Sequence, residues 1–174
     1  MLPLKSFAVI AVISLLGACG GSGTAVTTDV LSNGSINISE GPAATIDPGV
    51  NDADFGTILN GLRNDRSLPG FTYDARLDAA AQKHAQDMVD NDYFSHDSLN
   101  GDTVRERIQA EGYDPRGWAE NLAQGQQSQG EALQAWINSP GHNRNLNAPL
   151  EEFALGVAGS GRELTWVLVL ATEK

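Results

Sequence analysis

Cysteine is almost missing from this chain: Cys19 stands alone among 174 residues. No disulfide partner exists within the chain, so no disulfide framework holds the fold. Basic residues are scarce too, 11 Lys and Arg against 22 Asp and Glu, for a net charge of −11. Phosphate binding requires clustered cations, so nucleic acid is excluded as a partner, as is adhesion to anionic lipid through a polybasic face. There is no His-Glu-x-x-His of the common zinc proteases, no Gly-x-Ser-x-Gly nucleophile turn and no Gly-rich phosphate loop. No internal repeat is visible, and the length suits one domain with a real core rather than two.

Residues 1–18 read as an export signal. Lys5 supplies the positive start, Phe7 to Leu16 is an apolar run of ten broken only by Ser14, and Gly17-Ala18 are small. The run is too short to span a hydrocarbon core of ~30 Å. Leu16-Gly17-Ala18-Cys19 resembles the bacterial lipobox, which implies diacylation of the Cys19 thiol and membrane anchoring through it. The alternative is a plain secretory signal cut after Ala18. With Gly20 rather than Asp after the cysteine, the implied address is the bacterial cell envelope, outside the cytoplasm, and the outer membrane in a Gram-negative host. Residues 19–50 are rich in Gly, Ser, Thr, Asn and Pro and are expected to form a flexible tether, reaching roughly 30 Å as a coil.

The globular part is expected over 51–174. Phe55, Ile58, Leu59 and Leu62 recur at helical spacing, and Leu77, Ala80, Ala81, His84, Ala85 and Met88 mark a helix from about Asp74 to Asp90 with a flat alanine face. His84 on that face reads as a structural histidine with a satisfied ring nitrogen. Thr103 to Glu106 and Ser128 to Glu131 have capping-box spacing and open two further helices; Glu131 is thereby explained without catalysis. Ser139-Pro140-Gly141 is expected to end the second of these. Phe71 to Tyr73 and Trp118 to Ala123 are strand-prone. Phe153 to Ala158 and Leu164 to Thr172 form a hairpin, and the near-continuous apolar run of the latter predicts a central strand covered on both faces. Helices interleaved with a hairpin rather than βαβ repeats favour an α+β fold in three layers, helix, sheet, helix.

Two of the three histidines, His96 and His142, lie between Tyr93 and Asn145 beside turn-forming residues, with Glu120 between them. Brought together, these side chains would form a polar cluster able to bind a metal or move protons. Ser95 and Ser139, each close to one of these histidines, are weak candidates for a Ser–His pair. The structural alternative is a buried hydrogen-bonded network pinning three loops, with Asn121 and Arg144 tying the same loops.

From about Phe55 to Thr172 the chain resembles the bacterial branch of the CAP superfamily of cysteine-rich secretory proteins, venom allergens and pathogenesis-related proteins. The landmarks are Asn60 to Arg63, Phe94-Ser95-His96, Arg107, Gly112-Tyr113, Glu120-Asn121-Leu122, Trp136, Ser139-Pro140-Gly141-His142 and Gly156-Val157. The resemblance implies a three-layer α-β-α sandwich with a cavity holding two His and two acidic side chains. His96, Glu120 and His142 take three of those places. The fourth falls at Asn138 or Ser139, neither of them acidic.

Two neutral imidazoles suit an ion such as Zn²⁺, so His96 and His142 are the candidate ligands and Glu120 a third or water-mediated one. Two functions follow as expectations. One is a lipid-anchored extracytoplasmic binding module whose cleft at His96, Glu120 and His142 takes a small apolar ligand, a lipid or a peptide segment. The other is a metal-assisted hydrolase of peptide or cell-wall polymer with Glu120 as the catalytic general base.

Overall fold

The computed structural model describes residues 27–30, 36–39 and 52–174. The expected export signal, Cys19 and most of the expected tether lie outside the described residues. Within the tether stretch, two short strands β1 (Thr27–Val30) and β2 (Ile36–Ser39) pair antiparallel, Thr27 opposite Ser39. Strand-favouring Thr27, Thr28, Val30, Ile36 and Ile38 account for them, a pattern masked by the small polar residues around it.

The main sheet is built from β3 (Thr72–Tyr73), β4 (Pro115–Gln124), β5 (Glu152–Ala158) and β6 (Thr165–Glu173), in the order β3-β5-β6-β4. β5 and β6 form the expected antiparallel hairpin, Phe153 opposite Leu170, turned by one turn of 3-10 helix at Gly161–Glu163. β4 runs antiparallel along the other side of β6, Glu120 opposite Val169, while β3 adds in parallel beside Phe153. β6 is therefore interior. Its residues alternate between two cores, Trp166, Leu168 and Leu170 in one and Val167, Val169 and Ala171 in the other.

Each core is closed by its own helices. The first lies beneath α1 (Asp52–Asp65), α4 (Gln129–Asn138) and α5 (Pro140–Leu146), with Phe55, Leu59, Leu133, Trp136 and Leu146 buried in it. The second lies beneath α2 (Ala75–Asp90) and α3 (Val104–Ala110), with Leu77, Ala81, Met88 and Ile108. The architecture is a three-layer α-β-α sandwich of the α+β class. Alanine on α2 allows a very close approach to β5: a Cβ on Gly156 would stand 2.2 Å from the carbonyl carbon of Ala81.

Helix starts follow local chemistry. Asp74 accepts from the amides of Arg76 and Leu77 and caps α2. Glu106 Oε2 accepts from both the amide and the hydroxyl of Thr103 at 2.7 Å. At α4, Ser128 Oγ accepts from the Glu131 amide, and Glu131 reaches the Gln127 amide, one residue earlier than the expected box. The expected stop at Ser139-Pro140-Gly141 is also a start. Ser139 caps the end of α4 and the beginning of α5, where Pro140 occupies a first-turn position that needs no amide hydrogen.

Side-chain donors and acceptors satisfy backbone at the margins of the sheet. The Asn60 amide pairs both backbone groups of Phe71, accepting at 2.7 Å and donating at 2.9 Å. Gln82 does the same for Val157 at 3.0 and 2.8 Å. On β4, Asn145 Nδ2 donates to the carbonyl of Glu120 and Trp136 Nε1 to that of Leu122, at 3.2 and 3.0 Å. Arg63, 1% exposed, donates to the carbonyls of Pro69, Leu146 and Ala148 and stacks over Phe71, tying α1 to the end of α5. Asn60 and Arg63, a landmark pair in the sequence, thus join α1 to its neighbours.

Candidate functional site

β4 is an edge strand, and its period-two alternation sends neighbouring side chains to opposite layers. Glu120 shares a face with Leu122, on the α2–α3 side, whereas Asn121 shares one with Ala119 and Ala123, on the α1–α4–α5 side. One strand thereby contacts elements from both layers.

On the first side the centre is the carboxylate of Glu120, whose side chain is 1% exposed. Oε1 lies 2.7 Å from His96 Nδ1, and Oε2 accepts from Arg107 Nη2 at 2.6 Å. Arg107, on α3, also donates through Nη1 to the carbonyls of His96 and Asp102, at 2.8 and 3.1 Å, and to Ser98 Oγ at 3.3 Å. It therefore fixes both the carboxylate and the loop carrying His96. The His96 ring is 54% exposed, so its other nitrogen can meet a ligand.

On the second side, the Asn121 amide donates to the carbonyl of His142 at 3.2 Å and accepts from Asn145 Nδ2 at 2.9 Å. His142 belongs to the first turn of α5, so Asn121 and Asn145 seat that turn against β4. Glu120 and Asn121, adjacent on β4, bind the His96 ring and the His142 carbonyl respectively, so both histidines lie beside one strand. The hydrogen bond to Glu120 raises the His96 pKa above the ordinary imidazole value, more than burial lowers it. Burial, and then the charge on His96, push His142 below it. The two histidines thus differ, His96 being favoured in its protonated form and His142 in its neutral form.

His96, Glu120 and His142 thus belong to one region of the fold. Arg107 belongs there as well, a residue to which the sequence assigned no role. Its only signal was its place among the family landmarks; its spacing from Glu120 carries no local pattern. The expected fourth acidic place holds none: Asn138 accepts from Gln134 and Ser139 caps helices. Among the described residues, no three His, Cys, Asp or Glu side chains are arranged to hold a metal ion. Arg144 is exposed, and the loop tie expected of it is made by Asn145. Ser95 Oγ accepts from the Asp97 amide, and no hydrogen bond joins it to an imidazole. His84 Nε2 lies 2.9 Å from the Ser95 carbonyl, which satisfies one ring nitrogen. Glu131 caps its helix.

The fold is a three-layer α-β-α sandwich in which Glu120 of the edge strand is bonded to His96. Residues 57–170 match the cysteine-rich secretory protein family, CAP, and the chain belongs to that family. It is 31% identical over 105 residues to the uncharacterized protein YkwD of Bacillus subtilis (strain 168), covering 60% of this chain and 41% of that one. It is 29% identical over 101 residues to the uncharacterized membrane protein YlbC of the same organism, covering 58% of this chain and 29% of YlbC. The chain thus spans well under half the length of either relative. Among solved structures it resembles an extracellular protein containing an SCP domain from Bacillus anthracis str. Ames, with TM-score 0.66, 28% identity, and 80% of this chain and 47% of that one covered. An outer surface protein from Borrelia burgdorferi shares the fold, with TM-score 0.64, 21% identity, and 72% of this chain and 97% of that one covered.

Proposed function

We propose that the chain is an extracytoplasmic binding module, anchored through acylated Cys19, whose cleft at His96, Glu120 and His142 receives a small apolar molecule or a peptide segment. The observation that carries this reading is the engagement of both Glu120 oxygens, one by Arg107 and one by His96. A general base needs a free basic oxygen within reach of the proton it takes. Glu120 instead orients His96. Exposed aromatic surface supports an apolar ligand: Phe94, two residues before His96, is 48% exposed, and Trp118, two before Glu120 on the same strand face, is 41% exposed. The address is supported by the extracellular and outer-surface proteins that share the fold. Among the described residues, no helix is long and apolar enough to cross a membrane.

A divalent ion such as Zn²⁺ fits this donor set only as an open two-imidazole site, held by the exposed nitrogen of His96 and a ring nitrogen of His142. Glu120 would steady His96 from behind. Such an ion would supply a Lewis-acidic point for a ligand carbonyl or carboxylate.

Glu120→Gln separates the two functions. Displacement of a fluorescent fatty acid or peptide from the variant should stay within a few-fold of the parent, and be lost in His96→Ala/His142→Ala. Turnover of peptide or cell-wall polymer that needs Glu120 and zinc would replace the binding reading with a hydrolase.

A further inference from the structure

Three elements hold His96, and one of them does so through a residue that is not part of the cleft. Among the described residues, 94–97 make no hydrogen bond from main chain to main chain; such bonds stop at Tyr93 and resume at Ser98. The segment carrying His96 therefore takes its position from side chains. Ser95 Oγ supplies a local turn by accepting from the Asp97 amide. The other anchors reach in from α2 and α3, and they fall on the two peptide groups that flank the His96 Cα.

His84 Nε2, on α2, meets the carbonyl of Ser95 at 2.9 Å, and Arg107 Nη1, on α3, donates to the carbonyl of His96 at 2.8 Å. A carbonyl only accepts, so Nε2 of His84 carries the hydrogen. Its Nδ1 is left to accept, with Ser98 Oγ 3.5 Å away on that side. A peptide group is planar, so fixing the direction of a carbonyl fixes the whole plane. Two fixed planes on either side of one Cα leave the φ and ψ of that residue little freedom. The 2.7 Å contact of His96 Nδ1 with Glu120 Oε1, on β4, then sets the side-chain torsions.

Packing alone does not call for an imidazole at this point of α2. The other buried residues of its face, Ala81, Ala85 and Met88 among them, are apolar, and His84 is 1% exposed. A polar ring so placed costs stability unless it is hydrogen-bonded, and its short bond goes to the residue before His96. We propose that His84 is a positioning residue for His96: its Nε2–H holds the Ser95 carbonyl and so sets the direction in which His96 presents its exposed nitrogen. The role rests on the reading of His96 as a ligand-facing residue; His84 itself, buried behind the loop, acts only through it.

The test is NMR of the whole ¹⁵N-labelled chain at neutral pH, without ligand. Ring nitrogen shifts should show His84 as the Nε2–H tautomer. His96 should populate one χ1 rotamer, with backbone order parameters of about 0.85. His84→Gln, whose terminal amide reaches as far as the imidazole Nε2, should preserve that rigidity. His84→Asn, whose shorter amide reaches only the Ser98 side, should lower the order parameters of His96 and Asp97 below about 0.6 and average the His96 rotamers, with His142 unmoved. An Nδ1–H tautomer in the parent overturns the proposal whether or not the variants fold. So does a folded His84→Gln in which His96 is mobile, or a His84→Asn that loses stability yet keeps His96 rigid, the mark of a purely structural histidine. None of these measurements needs a ligand. A chain that binds neither fatty acid nor peptide fails the binding reading and leaves the role of His84 in place, whereas a rigid His96 in His84→Asn ends that role even where the cleft binds.

Discussion

Arg107 Nη2 stands 2.6 Å from Glu120 Oε2, in a pair whose side chains are 10% and 1% exposed. Removing one member of so buried a pair strands the other charge. Arg107→Met should destabilise the domain by about 3–5 kcal/mol in urea unfolding, more than a surface ion pair could account for. Arg107→Lys should recover only part, because an ammonium cannot reproduce the fork that holds Glu120 and the loop carbonyls together. Equal stability of Arg107→Met and the parent would mean that Glu120 is not held as described.

The two site histidines should respond to pH in opposite directions. His96 has a raised folded pKa, so its stabilising contribution is complete below the unfolded imidazole value and is lost as pH rises through the folded one. His142 has a lowered folded pKa, so folding resists its protonation and its contribution is lost as pH falls from the unfolded value through the folded one. Ring NMR titrations should place His96 above His142. Glu120→Gln should lower the His96 pKa, and His96→Ala should raise that of His142.

Gly156→Ala inserts a methyl where the backbone of Ala81 already lies, at 2.2 Å from its carbonyl carbon. Neither backbone can yield cheaply, and a cost of about 1–3 kcal/mol or more is expected. Gly61 in α1 has nothing within 4 Å of an added Cβ, so Gly61→Ala should be neutral or stabilise by up to about 1 kcal/mol through helix propensity. Thermal midpoints of the two variants should move in opposite directions, or Gly156 alone should move.

Asn121 is fully buried and holds both the carbonyl of His142 and the amide of Asn145. Asn121→Ala should cost about 1–3 kcal/mol by orphaning those groups. It should also speed amide exchange in α5 and shift the His142 ring resonances, leaving the His96 pKa close to its parent value. Displacement of His96 alone would contradict the division of the site between the two layers.

Zinc added to the full chain should perturb the rings of His96 and His142 together and leave that of His84 unmoved. His96→Ala or His142→Ala should each abolish the response, since one imidazole is a poor ligand set. A chelator should leave the unfolding midpoint unchanged, because the fold rests on its two apolar cores.

Patterns with a period were legible in the sequence. The alternating cores on β6 and the alanine face of α2 follow directly from residue spacing, as does Asp74 at the head of α2. Features created by tertiary neighbours were not. Pro140 is compatible with ending one helix or starting another, and only the seating of α5 on Asn121 shows that it does both. Arg107 gave no local hint of Glu120, which joins it across two elements. β3 pairs at only Thr72 and Tyr73, beside a strand remote in sequence. The placing of His96 by Glu120 and of His142 by Asn121 likewise depends on β4 being an edge strand with a different layer behind each face.

The amides of Asn60, Gln82 and Asn145 and the indole of Trp136 occupy backbone groups that another strand would otherwise claim. Copies crowded side by side at high concentration find little bare main chain at Phe71, Val157, Glu120 or Leu122 on which to zip together. Exchanging the three amide side chains for apolar ones of similar size would leave both cores intact and open a route to polymerisation.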